Sequence, residues 1–399
     1  MSYKIFDIGG SYLKIYCSKT KEIKRINNIE DSIIKLSFLK NIIKNNIEED
    51  TEFIGLSSQM HGFILFDEFD NNLTDFYTWK NTSSLNILEE DLFDDFYLTG
   101  LKKRNDLPIN NINQLFNTNN INNKKIKVKN ITEGILDESY NITHITMACG
   151  NGFYNIFNNT YIDRYINYFK KKYNIELCFD NVISNKEISG IINVNNKKIP
   201  VYIGLGDFQA TIYGINLEDD TLLVNFATGS QIAIFENNVN NIYNNDIFSF
   251  RPYLNNKILK CITHIPSGRF LNIYENFFKE FNINMWEYFE KLTLDDLYNS
   301  SLNISTNIFD EQGISISNIK NNINLKNFIS SILHCYIKQY ILLIKDNNII
   351  FKNILLSGGI AKKIRLIKEV FNKEFENIEI KILEADDDSI LGVNKFITE

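Results

Sequence analysis

Phe6-Asp7-Ile8-Gly9-Gly10-Ser11-Tyr12-Leu13-Lys14-Ile15-Tyr16 and Val224-Asn225-Phe226-Ala227-Thr228-Gly229-Ser230-Gln231-Ile232-Ala233-Ile234-Phe235 are written to one plan. Each reads as an apolar strand, a turn of small residues ending in Gly-Ser, and a second strand. The copies lie about half the chain apart, which points to a duplicated lobe with one such hairpin in each half. A turn of Gly, Ser and Thr lets backbone N–H groups and hydroxyls approach phosphate oxygens with no Cβ in the way. One such turn alone is an ordinary glycine hairpin. A matched pair at this spacing points to a triphosphate clamped between two lobes.

Outward from the hairpins, strands are predicted at Tyr3–Ile8, Leu13–Cys17, Phe53–Leu56, Phe63–Phe66, Val201–Leu205, Leu222–Phe226 and Gln231–Phe235. Helical periodicity is clearest over Ser32–Ile43, Leu325–Lys345 and Ile364–Phe375. Alternating strands and helices predict an α/β architecture. The length of 399 residues suits two lobes, taken here as 1–216 and 217–399. The Asn-rich runs Asn110–Asn123 and Asn237–Asn245 read as loops or irregular helices between ordered elements.

Composition excludes several classes. Net charge is -7, with no basic stripe of the kind a nucleic-acid binder needs. The 5 cysteines are widely spaced, odd in number and without a C-x-x-C pair, so reduced thiols in a cytoplasmic protein are expected. No leader pattern and no 18-residue apolar run is present, and no membrane association is expected. Only 18 Gly occur, so each glycine cluster carries more information than usual.

Three clusters stand out beyond the hairpins. Gly204-Leu205-Gly206-Asp207-Phe208-Gln209-Ala210 runs from an apolar strand through glycines to one Asp and then a helix-like Ala210–Ile215. Asp207 is either an ordinary helix N-cap or a positioned base. A hydroxyl nucleophile needs such a base, worth roughly 10²–10⁴-fold in rate. Gly55-Leu56-Ser57-Ser58-Gln59-Met60-His61-Gly62 follows a strand, and Gln59, His61 and the nearby Trp79 are partners suited to a polyol. Ile354-Leu355-Leu356-Ser357-Gly358-Gly359-Ile360-Ala361-Lys362 turns through Gly-Gly into a helix, which admits a flat base or ribose and brings a helix N-terminus near phosphate. Asp7, at the end of the first strand, is placed either to cap the turn or to hold Mg²⁺ through water.

The order of these motifs, from Phe6 to Gly392, resembles the FGGY carbohydrate kinases. Phe6–Lys14 looks like the family's first phosphate motif and Ala227–Gln231 like the second. Ser57–Gly62 resembles the ketose-kinase S-G-Q-M-H-G motif, with Ser58 in place of Gly. Gly206–Ala210 resembles the motif that carries the catalytic Asp, Ser357–Lys362 the adenosine motif, and Asp386–Gly392 the acidic segment trailing it. Within the family, Leu205–Tyr213, Asn225–Ala233 and Arg251-Pro252-Tyr253 look closest to sedoheptulokinases, with xylulokinases next.

The resemblance implies two actin-like ATPase (ribonuclease H-like) lobes with an interlobe cleft. It implies Asp207 as proton acceptor, with Gln59, Met60, His61, Trp79, Asn81 and Asp207 around the sugar. It assigns the nucleotide to Gly10, Ser11, Lys14, Thr228, Gly229, Ser230, Ser267, Gly268, Gly358, Gly359 and Lys362. Asp7 and Asp207 would serve the metal, with ATP and Mg²⁺ as cofactors. One departure is marked. The family's W-x-D-x-R reads Trp79-Lys80-Asn81-Thr82-Ser83, with Asn81 for Asp and Ser83 for Arg.

The expected activity is ATP-dependent phosphorylation of a ketose's terminal hydroxyl, with sedoheptulose first and xylulose second. Two other classes compete. A nucleotide- or sugar-binding sensor without turnover fits the altered Trp79–Ser83 motif but has little need of both Asp7 and Asp207. An actin-like filament protein shares the ATPase frame but gives no reason for Gln59-Met60-His61. A monomer or homodimer is expected, with a small-molecule sugar and ATP as partners and no nucleic acid.

Overall fold

A computed structural model describes residues 1–27, 31–118, 121, 124–227, 229–237, 247–306, 308, 314–319, 323–384 and 387–399. The chain divides into two compact units. Unit 1 takes in Met1–Leu217, Glu236–Leu259 and Asp386–Glu399, and unit 2 takes in Glu218–Phe235 and Lys260–Ala385. The first crossing lies beside the expected 216/217 boundary, and the chain returns to unit 1 twice more.

Unit 1 is built on β1 (Tyr3–Ile8), whose six residues are all buried. Such a run belongs in a central strand covered on both faces. The turn at residues 9–11 folds β2 (Tyr12–Cys17) back antiparallel, pairing Asp7 with Lys14 and Ile8 with Leu13. β3 (Ile23–Asn27) continues the antiparallel side. On the other side β4 (Phe53–Ser58) runs parallel to β1, pairing Ile8 with Ser58. Short β5 (Glu138–Ser139), β6 (Ile188–Val194) and β7 (Lys197–Tyr202) extend the sheet in the order β3-β2-β1-β4-β7-β6-β5. β8 (Leu205–Gly206) lies parallel to β4, with Leu205 opposite Ser57 and Gly206 opposite Ser58. The expected strand Val201–Leu205 is therefore two strands, β7 and β8, with a break between them.

A buried cluster that includes Phe6, Ile8, Leu13, Ile54, Leu56 and Phe76 packs against α1 (Leu36–Asn45) through Leu36, Leu39 and Ile43. Each such side chain contributes about 1.5–3 kcal/mol relative to exposure. The helix expected from Ser32 begins later, because Ile33–Ile34 pairs as a short strand with Phe76–Tyr77. A second buried cluster gathers Phe93, Phe96, Phe116, Phe153, Tyr165 and Phe169.

The Asn-rich run from Asn110 corrects an expectation. Pro108–Thr118 is a regular helix, α2, in which Asn110, Asn111 and Asn113 are buried. Protein partners replace solvent around them: Asn110 donates to the Arg104 carbonyl (2.8 Å) and accepts from the Ile87 N–H (3.0 Å), and Tyr173 donates to Asn113 Oδ1 (2.6 Å). Of the second Asn-rich run, residues 238–245 lie outside the described residues.

α3 (Asp207–Gly214) follows β8 directly, and the last helix, Asp388–Thr398, packs across it. The crossing needs glycine on both sides. A Cβ on Gly392 would stand 1.8 Å from the Ala210 carbonyl oxygen, and one on Gly214 would stand 2.3 Å from that of Asp388. Two backbones therefore touch where side chains would hold them apart.

Unit 2 repeats the layout. β9 (Thr221–Asn225) and β10 (Gly229–Glu236) form the second hairpin, with Asn225 opposite Gln231. β11 (Ile258–Pro266) lies beyond β10, and β12 (Asn353–Ser357) and β13 (Glu379–Ile382) run parallel on the far side of β9. The order β11-β10-β9-β12-β13 matches β3-β2-β1-β4-β7, so the sequence echo is an echo of topology. α4 (Gly268–Lys279), α5 (Leu325–Asp346) and α6 (Arg365–Glu374) belong to this unit, and the last two agree with the helical periods to within one residue. Among the described residues, no helix is long and apolar enough to cross a membrane.

Candidate functional site

In unit 1 the parallel strands β1, β4 and β8 end together. Gly9, Gln59 and Asp207 are the residues that follow their last paired positions. The carboxyl ends of parallel strands are where open α/β sheets bind ligands. Strand pairing brings together three motifs that lie 50 and about 150 residues apart in the chain.

Asp7 is buried, and both its oxygens are engaged. Ser57 Oγ donates to Oδ1 at 2.8 Å, Ser389 Oγ donates to Oδ2 at 2.6 Å, and Lys14 Nζ lies 3.2 Å from Oδ2. Lys14 also reaches Asp387 Oδ1 at 3.4 Å, and Arg25 pairs with the same Asp387. Burial works against the Lys14 charge, but Asp7 and Asp387 outweigh it and hold the ammonium above its ordinary pKa. Lys14 is thus the cation between two carboxylates. Gly10 sits against Trp79: a Cβ there would stand 2.9 Å from the indole Nε1. Lys80 Nζ donates to the Gly10 carbonyl at 2.6 Å, which holds the turn that also carries Ser11.

Asp207 is the first residue of α3, with Gly206 preceding it as the cap. It is a helical residue and not the N-cap of the ordinary alternative. Its Oδ1 accepts from the Phe208 N–H at 2.8 Å. The residue keeps part of its surface open to solvent, yet the surrounding protein governs its charge. Burial first, and then the Asp7 carboxylate, push the carboxyl up to about 7, against the Phe208 N–H, Arg251 and Lys14. A carboxylate of that basicity is poised to take a proton near neutral pH.

Around Asp207, Met60 is buried, with Cγ and Sδ 3.2 Å from where a Cβ on Gly206 would be. His61 adopts a positive φ of 61° and places Nδ1 2.9 Å from the Gly150 carbonyl. A carbonyl only accepts, so Nδ1 carries a proton. Gln59 is buried, with Nε2 3.4 Å from the Gly9 carbonyl. Asn81 is turned into the protein: its Nδ2 donates to Asn111 Oδ1 at 2.9 Å, and its carbonyl accepts from Asn111 Nδ2 at 3.0 Å. Ser83, where the resembled motif has Arg, places its hydroxyl 2.7 Å from the Leu85 carbonyl and 2.8 Å from Gln114 Oε1. These two departures are thereby absorbed by α2.

In unit 2 three motifs meet at one turn. The Gly268 N–H donates to the Ala227 carbonyl at 3.1 Å, and the Phe226 N–H donates to the Ser357 carbonyl at 2.8 Å. Gly358 has φ +91°, and a Cβ there would stand 2.3 Å from the Phe226 carbonyl oxygen, so both its conformation and its surroundings require glycine. Gly229 and Gly359 face open space. The hydroxyls differ from expectation. Ser230 Oγ closes its own turn, accepting from the Ala227 N–H at 3.0 Å, and Ser267 Oγ bonds to the Tyr336 hydroxyl at 2.8 Å. Both are buried, which leaves backbone as the offering of these two positions. Lys362 Nζ donates to the Glu384 carbonyl at 3.0 Å. Thr228 lies outside the described residues.

Several contributors were not singled out from sequence as site residues. Ser57 and Ser389 orient Asp7, Lys80 braces the Gly10 turn, and Asp387 shares Lys14. Ser57, Lys80, Asp387 and Ser389 all lie inside the quoted motifs. What sequence does not display is which hydroxyl or amine points at which carboxylate.

Residues 8–214 match the N-terminal domain of the FGGY family of carbohydrate kinases. No curated protein matches by sequence. Among solved structures, the chain is similar to a ligand-bound xylulose kinase from Lactobacillus acidophilus (16% identity, 99% of this chain and 88% of that one, TM-score 0.78). It is equally similar to a gluconate kinase from the same organism (15% identity, 99% and 89%, TM-score 0.78). The third is a Plasmodium falciparum glycerol kinase with ADP (14% identity, 99% and 89%, TM-score 0.78). These likenesses establish the fold as α/β with two lobes of the actin-like ATPase type.

Proposed function

The chain belongs to the FGGY family of carbohydrate kinases, and from that premise we propose that it transfers the γ-phosphoryl group of ATP to the terminal hydroxyl of a ketose, with sedoheptulose as the acceptor and sedoheptulose 7-phosphate as the product. The observation that carries this reading is Asp207, a carboxylate at the head of α3, raised to about 7, beside Asp7 at the carboxyl ends of parallel strands. The likeness of Leu205–Tyr213 and Arg251–Tyr253 to sedoheptulokinases supports the choice of sugar, and the similarity to an ADP-holding glycerol kinase supports the choice of nucleotide.

In this reading Asp207 takes the proton of the attacking hydroxyl, a contribution of roughly 10²–10⁴-fold. Direct transfer needs little covalent chemistry from the protein, and positioning with charge stabilisation supplies most of the rest. Lys14 supplies positive charge beside the Gly10–Ser11 turn. The glycines at 229, 268, 358 and 359 offer backbone to the nucleotide.

Mg²⁺ fits the Asp7 site as a hydrated ion. Both Asp7 oxygens already accept from hydroxyls, and no group of three or more His, Cys, Asp or Glu able to hold a metal occurs among the described residues. Mg²⁺ commonly keeps several waters, so Asp7 and Asp207 would hold it through them. When bound it neutralises charge on the phosphates.

The test is ADP release against a panel of ketoses and polyols that includes sedoheptulose and xylulose. Sedoheptulose should give the highest kcat/KM, and Asp207→Asn should abolish the stimulation. Xylulose as the better acceptor would replace the sugar assignment. Unchanged stimulation in Asp207→Asn would remove the base.

A further inference from the structure

Gln59 and Gln209 are in the same state. Both are almost fully buried, at 2% and 0% exposure, and the Oε1 of each makes no hydrogen bond among the described residues. Their orientation is fixed by chemistry. Gln59 Nε2 faces the Gly9 carbonyl and Gln209 Nε2 faces the Pro252 carbonyl, each at 3.4 Å. A carbonyl cannot donate, so the amide nitrogen must be the group that faces it, and Oε1 must be the group left over. A buried acceptor without a donor is destabilising, and such groups in native proteins call for an explanation.

Both amides adjoin the residues around Asp207. Gln59 follows Ser58, and Asp207 follows Gly206, across the paired ends of β4 and β8. Gln209 Oε1 stands 2.7 Å from where a Cβ on Gly206 would be, in company with Met60 Cγ and Sδ. A donor accompanies the two acceptors. The Arg251 guanidinium lies over the Phe208 ring at 5.6 Å, with Nη1 4.0 Å from Met60 Sδ, and the next residue is the Pro252 that Gln209 holds.

We propose that Gln59 Oε1, Gln209 Oε1 and the Arg251 guanidinium read the hydroxyls of the acceptor, two fixed hydrogen-bond acceptors and one forked donor that together select a neutral polyhydroxy compound. A hydroxyl satisfies either partner, because it donates to the amide oxygens and accepts from the guanidinium. A carboxylate or phosphate satisfies only the arginine and leaves the amide oxygens unmet. Sugar acids and sugar phosphates are therefore disfavoured acceptors. The assignment rests on the kinase reading of the Asp207 site.

The experiment measures KM and kcat for the best neutral acceptor and for ATP in Gln209→Met, Arg251→Lys and Asp207→Asn, with melting temperature as the folding control. Gln209→Met keeps the length and apolar body but removes the oxygen. Arg251→Lys keeps the charge but loses the fork. Each should raise the acceptor KM roughly tenfold or more, with the ATP KM within about twofold. A merely structural role would instead lower the melting temperature and kcat at constant acceptor KM. Unchanged acceptor KM in both variants overturns the proposal, as does a wild type that prefers a sugar acid to its neutral counterpart. Turnover retained in Asp207→Asn, with acceptor KM raised in Gln209→Met, overturns the base and supports the hydroxyl-reading set. A wild type inert toward every neutral polyol overturns both.

Discussion

Glu133 is a buried carboxyl remote in role from the proposed chemistry, and replacing it with glutamine should change the pH dependence of stability in a calculable way. It is 2% exposed, and its Oε1 accepts from Thr132 Oγ1 at 2.8 Å. Burial, and then the neighbouring Asp180, raise its carboxyl from 4.5 to about 7, with Thr132, Asn130 and Thr143 offsetting part of the shift. The folded state thus binds this proton more tightly than the unfolded chain does. The stabilisation is fully present below pH 4.5 and is lost as pH rises through about 7. A shift of about 2.5 pH units at about 1.4 kcal/mol each sets a ceiling of about 3.5 kcal/mol, of which about 2–3 kcal/mol falls between pH 5.0 and 8.5. Glu133→Gln keeps the volume and the acceptor for Thr132 but cannot ionise. Its stability relative to wild type should therefore be about 2–3 kcal/mol more favourable at pH 8.5 than at pH 5.0. For a unit of this size that is a relative melting shift of about 4–12 °C. Urea unfolding followed by Trp79 fluorescence, in a Trp286→Phe background so that only unit 1 reports, reads this double difference. Equal stability differences at the two pH values would refute the reasoning.

Asp207→Asn should lower kcat by roughly 10²-fold or more while leaving the melting temperature at pH 8 equal or higher, because a disfavoured charge is removed; coupled ADP release and thermal denaturation on the same sample test both halves. Gly392→Ala, whose Cβ would stand 1.8 Å from the Ala210 carbonyl oxygen, should cost about 2–3 kcal/mol and lower kcat, since it separates the helices bearing Asp207 and Ser389. An unchanged urea midpoint would dismiss the crossing as a constraint. His144 is fully buried and neutral, accepting from the Thr146 N–H at Nδ1 and facing the Ser184 carbonyl with Nε2. Burial lowers it from 6.5 to about 4, so the unfolded chain binds its proton first and stability falls as pH drops from 6.5 toward 4. His144→Gln should flatten that acid limb by up to about 3 kcal/mol, measured as urea stability at pH 7 and pH 4.5.

Much of the fold is legible where periodicity and turn chemistry agree. The two Gly-Ser hairpins and the helices at 325–346 and 365–374 fall where the residues place them, because local patterns determine them. The misreadings share a physical cause. Asn110, Asn111 and Asn113 look like loop residues, yet they are buried in α2, where residues distant in sequence bond to their amide groups. Ile33 and Ile34 continue a helical period but pair with Phe76–Tyr77 instead. At the site, the sequence displays residue types and not their partners. Ser230 and Ser267 are suited to phosphate by type, but in place they bond to their own turn and to Tyr336. Asn81 and Ser83 look like a damaged sugar motif, and in place they are tied to Asn111 and Gln114.

The last helix gives the molecule a timetable. Ser389 bonds to an Asp7 that precedes it by 382 residues, and Tyr3 bonds to Asn394 across 391. The same helix lays Val393 and Ile397 against Gly55 of β4, within 2.8 Å of where its Cβ would be. A ribosome working at about 5–20 residues per second makes Asp7 some 20–80 s before Ser389. Throughout that interval the sheet of unit 1 has a bare apolar strip over β4, and Asp7 lacks one of its two hydroxyl partners. The nascent lobe is thus most prone to aggregation while the Asp7 cluster is still incomplete. Both conditions end together, when one helix arrives.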